Sequence, residues 1–170
     1  MLTNDKRILF AGSDTFINKD SSSDVTEFRL LDKCNEPIEY IAASCDNVMF
    51  ITSQQIIRTF GQNKFAKVAP VNVNQEIYWD DNIKIEGYQF LSVSCGKNHT
   101  VAIVKTNVGD QGSIDSNKGA TEPVYSWGNI KQGRCGLSIE FINSTGTALC
   151  AEPRAVQVFK EESKESKEKT

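Results

Sequence analysis

The chain has 170 residues, the size of one domain or of part of a larger one, and enough to bury a real core. With 39% hydrophobic, 24% charged and 9% aromatic residues, it has the make-up of a globular chain rather than a disordered or membrane-spanning one. A net charge of -3 and a pI near 5.3, with no Lys/Arg cluster, exclude a general attraction for nucleic-acid phosphates and leave no direct nucleic-acid signature.

The N-terminal stretch Met1 to Arg7 is polar and unlike a signal peptide, so an intracellular location is expected, with cytoplasm and nucleus not distinguished. From there the apolar pattern is short and strand-like. The runs are Ile8-Leu9-Phe10, Phe28-Arg29-Leu30, Val48 to Ile51, Ile56-Ile57, Phe90 to Val93, Val101 to Val104 and Val124 to Trp127. They are rich in β-branched and aromatic residues and bounded by Gly, Asn, Asp and Ser, which predicts mainly antiparallel strands. No window keeps a helical period for three turns. Lys105 to Thr121 is polar and rich in Gly, Ser and Asp, the composition of a surface loop. The last residues, 160–170, hold Lys, Glu, Ser and Thr but nothing apolar, and a charged disordered tail is expected there.

The strands repeat. Ile38-x-x-Ile41-Ala42-Ala43-Ser44 resembles Phe90-x-x-Val93-Ser94-Cys95-Gly96, and each leads through an apolar strand to an aromatic-Gly pair, Phe60-Gly61 and Trp127-Gly128. Each copy is taken to close with Pro-x-x-Val, at Pro70 to Val73 and at Pro153 to Val156. A half-copy precedes them, with Gly12 in the aromatic-Gly place and Phe28-Arg29-Leu30 as its closing strand. The boundaries are therefore a half-copy at 6–31, a copy at 38–73, and a copy at 90–158 with inserted loops at 105–121 and 138–152.

Candidate chemistry is sparse. The five cysteines, Cys34, Cys45, Cys95, Cys135 and Cys150, show no C-x-x-C spacing and the chain has one histidine, so neither a zinc site nor a disulfide framework is expected. His99 has no nucleophile-elbow serine beside it. Asp80 and Asp81, near Glu76 and Glu86, read as a solvated loop, and Gly96-Lys97-Asn98 lacks the phosphate-loop frame. The sequons at Asn98 and Asn143 carry no weight in an intracellular chain. No catalytic, metal-binding or cofactor-binding residue is expected, and no cofactor.

Three motifs stand in order in the second copy: Cys95-Gly96-Lys97-Asn98-His99-Thr100, then Tyr125-Ser126-Trp127-Gly128, then Gly133-Arg134-Cys135-Gly136-Leu137. Together they resemble one repeat of the regulator-of-chromosome-condensation family. In the first copy Ser44 replaces that family's Gly, Asn47 its His and Phe60 its Trp. The resemblance implies an all-β fold of antiparallel four-stranded blades from a partial β-propeller, with about two and a half repeats. It gives structural repeat-signature roles to Gly12, Phe60, Gly61, Cys95, Gly96, His99, Thr100, Trp127, Gly128, Gly133 and Gly136, and Phe60 and Trp127 would fill the space between blades. Family propellers usually have seven blades, so a fragment, a truncated product or a chain completed by a partner are all open. A protein partner is expected, a small GTPase among the candidates. Guanine-nucleotide exchange on a Ran-like GTPase is the alternative reading.

Overall fold

The computed structural model describes residues 1–13, 15, 17, 24–32, 34–71, 73–78, 84–85, 88–105 and 124–156. The stretches singled out at 106–121, 79–81, 86 and 160–170 lie outside the described residues. Strands dominate, in three antiparallel sheets. The first pairs β1 (Leu9–Ser13) with β2 (Asp24–Leu30). The second runs β3 (Ile38–Ala43), β4 (Asn47–Thr52) and β5 (Ile57–Gln62), with two short outer strands, β6 (Glu76–Ile77) and β7 (Lys84–Ile85), both pairing with β5. The third runs β8 (Gln89–Cys95), β9 (His99–Lys105), β10 (Val124–Asn129) and β11 (Leu149–Ala155). These are the blades of a partial propeller.

The repeat is visible in the hydrogen bonds. Ser44 N–H donates to the Asn47 carbonyl at 2.9 Å, as Gly96 N–H does to the His99 carbonyl at 2.8 Å. Gln62 N–H reaches the Asp46 carbonyl at 2.8 Å, and Asn129 N–H the Asn98 carbonyl at 2.8 Å. Adjacent blades are joined the same way twice. Lys6 and Gln55 sit at hairpin turns with φ of 63° and 62°. The Lys6 carbonyl accepts from Ile38 N–H at 3.0 Å, and the Gln55 carbonyl from Phe90 N–H at 2.9 Å. Each bond ties a turn of one sheet to the first strand of the next.

Burial follows position in the stack. The middle sheet is covered on both faces, so Met49, Phe50 and Ile51 are all at most 1% exposed. In β9, Thr100, Ala102 and Val104 are buried while Val101 and Ile103 between them are only half-buried. Each fully buried side chain of this size contributes about 1.5–3 kcal/mol. Phe60 meets Phe50 edge-on at 5.5 Å, and Trp127, 0% exposed, tilts against Phe90 at 6.3 Å.

Two sequence expectations need revision. The sheet of the first copy does not close at Pro70 to Val73 but continues through β6 and β7 to Ile85. The reason is Asn63, which is 0% exposed. Its Nδ2 donates to the Ala69 and Val71 carbonyls at 3.0 and 2.6 Å, and its Oδ1 accepts from Val68 and Ala69 N–H at 2.9 and 3.2 Å. That side chain organises 64–71 as a loop. The segment 138–152, expected as a loop, holds a short helix and the start of a strand. Helix α1 (Ile139–Thr145) is capped by Ser138, whose hydroxyl accepts from Phe141 N–H at 3.2 Å, and it ends at Gly146 in the left-handed region.

Candidate functional site

The repeat-signature residues of the second and third sheets gather at one end of the stack. This end carries the β3–β4 and β8–β9 turns, the 3-10 turns at Lys64–Ala66 and Lys131–Gly133, and helix α1. The link from β9 to β10 leaves from the opposite end, because neighbouring strands are antiparallel.

Glycine is required at the aromatic-Gly positions for a measurable reason. Gly12, Gly61 and Gly128 have φ of 115°, 114° and 109°. A Cβ at Gly61 would stand 2.4 Å from the Asp46 carbonyl oxygen, and at Gly128 2.6 Å from that of Asn98. At Gly12 it would meet none of the described residues within 4 Å. Gly96 is held free of a side chain by His99, whose Cε1 would be 2.8 Å from an added Cβ. The first copy pairs Ser44 with the smaller Asn47 instead, and Ser44 Oγ donates to Asn47 Oδ1. Gly133 and Gly136 take φ of 69° and 59° in the turn after β10, where Gly136 N–H donates to the Gly133 carbonyl at 3.0 Å. Ser126 Oγ donates to the Cys135 carbonyl.

The electrostatics are those of a packed junction. Burial, then the positive charge of Arg134, hold the His99 pKa below its usual value. His99 Nδ1 and Trp127 Nε1 are buried with no hydrogen-bond partner among the described residues. Burial pushes the Cys95 thiol up to about 11, and the Cys135 thiol likewise to about 11. Thr100 Oγ1 donates to the Lys67 carbonyl at 2.6 Å.

Lys67 is the residue that the sequence reading missed. Its side chain is 1% exposed, and its Nζ donates to Asp46 Oδ1 at 2.5 Å and to the Lys97 carbonyl at 2.8 Å. It thereby bridges the β3–β4 turn of the middle sheet to the β8–β9 turn of the third. Burial alone would raise the Asp46 pKa, but the Lys67 hydrogen bond and charge, together with side-chain hydrogen bonds from Ser44 and Cys45, outweigh it and hold the carboxyl below its usual range. The signal was the alignment of the two 3-10 turns, which sets Lys67 against Arg134; both are cations one residue past the turn. Arg134 is exposed and, among the described residues, its side chain bonds within its own turn, to the Lys131 carbonyl and Gln132.

Among the described residues no three or more His, Cys, Asp or Glu side chains come together as a metal-holding group. No helix of the described residues is long and apolar enough to cross a membrane.

No protein-family model matches the chain, and no curated protein matches it. Solved structures do match. Human WBSCR16 superposes with a TM-score of 0.59 at 14% identity, over 91% of this chain and 34% of that one. Prp20p from Saccharomyces cerevisiae, described with its binding to Gsp1p and histones, gives 0.61 at 18% identity, over 92% and 35%. Yeast RCC1 (Prp20), solved with Kap60 bound, gives 0.59 at 18% identity, over 92% and 34%. The chain thus spans about a third of the length of these structures. Its fold is that of the regulator-of-chromosome-condensation β-propellers, in part.

Proposed function

We propose that the chain is a protein-interaction module whose partner docks at the end of the third sheet bearing helix α1. The supporting observation is the helix itself. It is inserted between β10 and β11 and contributes no fully buried residue. It presents Ile139 at 62% exposed, Arg134 is exposed in the turn that leads to it, and the Arg154 guanidinium lies 4.9 Å from the Phe141 ring. Exposed apolar, aromatic and arginine side chains on one short insertion are the residue types that interfaces favour. The role is binding, without an active site of its own. Crosslinking of the purified chain in cell extract, with identification of captured proteins, tests it. A partner captured by the parent chain and lost by Ile139→Asp supports the reading. A capture pattern unchanged by both Ile139→Asp and Arg134→Glu removes it.

The likeness to Prp20p favours one specific alternative, a regulator of a Ran-like small GTPase, because that protein is described as binding Gsp1p. The measurement is release of a fluorescent GDP analogue from such a GTPase with and without the chain. Accelerated release supports it, and no change in rate together with no binding excludes it.

A further inference from the structure

The two ends of the sheet stack treat their charges differently. At the end of the β4–β5 turn, Lys6 pairs with Glu39 at 2.6 Å, Arg7 with Asp5 at 2.5 Å and Arg58 with Glu36 at 3.7 Å. At the end bearing helix α1, the Lys67–Asp46 pair is matched and its lysine is buried. Lys64, Lys97, Lys131, Arg134 and Arg154 are exposed on the middle and third sheets, and none of them forms an ion pair among the described residues. Of the exposed acids near them, Glu76 accepts from Gln62 and Tyr78, which leaves Glu140 and Glu152. The whole chain has a net charge of -3, so this surplus of cations is local.

The fold assembles the surplus from separate segments. The turn Lys64–Ala66 lies against β10 and β11 of the third sheet. Lys67, just past that turn, donates to the Lys97 carbonyl at 2.8 Å. Arg134 stands close enough to His99, in the strand that Lys97 leads into, for its charge to contribute to the lowered His99 pKa. Arg134 Nη1 donates in turn to the Lys131 carbonyl at 3.4 Å. Two of the cations sit over rings, Lys64 Nζ 5.6 Å from the centre of Phe65 and the Arg154 guanidinium 4.9 Å from Phe141. A ring contact leaves the positive charge in place. A strip of positive charge thus crosses two sheets, with Phe65, Phe141 and exposed Ile139 set among the cations.

We propose, resting on the reading of this end as a docking surface, that the strip binds an acidic segment of a partner polypeptide, with carboxylates along the cations and apolar side chains against Ile139 and Phe141. Opposite charge speeds the encounter and rejects basic competitors, and the apolar contacts hold the segment in place. A short acidic segment need cover only the strip, whereas a long nucleic-acid polyanion would also meet the negative remainder of the chain.

The test titrates the full chain with a capped, labelled glutamate peptide carrying leucine at every third place, beside its counterpart with lysine for glutamate, and follows fluorescence anisotropy. The glutamate peptide should bind saturably, about tenfold more weakly in about 0.5 M than in about 0.05 M salt, and the lysine peptide should not. Lys64→Glu, Lys97→Glu and Lys131→Glu should each weaken binding about threefold or more with the thermal unfolding transition retained, and Arg7→Glu, at the matched end, should leave it unchanged. No saturable binding overturns the proposal, as do equal binding of the two peptides, an equal loss on Arg7→Glu, and tighter binding of a single-stranded oligonucleotide than of the glutamate peptide. Capture from extract that is lost on Ile139→Asp, in a chain that ignores the glutamate peptide, keeps the docking end and removes the acidic partner. Binding of the glutamate peptide beside capture unchanged by Ile139→Asp and Arg134→Glu removes the α1 reading and keeps the strip as an acid-binding surface.

Discussion

The middle and third sheets are built from the same repeat, yet they bury their strands differently. In β4 five of six residues are buried, whereas β9 buries alternate residues and leaves Val101 and Ile103 half-covered. The run Val48 to Ile51 and the run Val101 to Val104 are similarly apolar, so the difference comes from neighbours and not from composition. The side chains that repeat between the two sheets change in sets. Phe50 with Phe60 occupies the places of Ala102 with Trp127, two medium rings against one large and one small residue. Ser44 with Asn47 stands for Gly96 with His99, and Asp46 with Lys67 for Asn98 with Arg134. A copy that departs from the repeat signature keeps its fold by changing partners together.

The strongest way to break this comparison is at the glycines. Gly128→Ala combines a φ of 109° with a methyl 2.6 Å from the Asn98 carbonyl oxygen, so a loss above about 4 kcal/mol is expected in urea unfolding followed by Trp fluorescence. Gly12→Ala has the same φ without the clash and should lose only about 1–2 kcal/mol. Equal losses at the two sites would mean that backbone strain alone decides both.

Next in size is the cation past each 3-10 turn. Lys67→Ala strips Asp46 and the Lys97 carbonyl of a buried partner and should cost about 3–5 kcal/mol, whereas exposed Arg134→Ala should stay within about 0.5 kcal/mol. Thermal unfolding of both variants in one buffer decides this. A harmless Lys67→Ala would show that the two sheets are held by apolar packing alone.

A smaller effect sharpens the idea of exchange in sets. Gly96→Ser brings a Cβ to 2.8 Å from His99 Cε1 and should cost about 1–3 kcal/mol. Adding His99→Asn, which recreates the Ser44–Asn47 pair, should return most of that loss. A double-mutant cycle measures the coupling, and additivity of the two changes would refute it.

The smallest effect is the pH response of His99. Its folded pKa is depressed below the usual 6.5, so the unfolded chain takes up the proton first. The stability it contributes is complete above about pH 6.5 and falls as pH drops below that value. Unfolding midpoints at about pH 7.5 and about pH 5.5 should therefore differ, and His99→Asn should remove part of the difference.

Strands, repeat and fold class were legible because period-2 apolar runs and the Phe60-Gly61 and Trp127-Gly128 pairs carry their own local geometry. The outer edge of the middle sheet was not. Pro70-x-x-Val73 matches Pro153-x-x-Val156 in letters, but only Pro153 lies in a strand, because buried Asn63 bonds the residues around Pro70 into a loop. Lys67 was hidden for a related reason. Nothing local distinguishes a lysine that will be buried from one that stays in solvent, and its partners are 21 and 30 residues away. Helix α1 escaped notice because its seven residues span fewer turns than a helical period needs to declare itself.

The five thiols are all free, and their surroundings rank them chemically. Thiolates are the reactive form, and burial keeps Cys95 and Cys135 protonated at neutral pH and raises Cys34 and Cys150 in the same direction. Cys45 alone is exposed. A maleimide dye would thus find one preferred attachment point on the unaltered chain, in the β3–β4 turn.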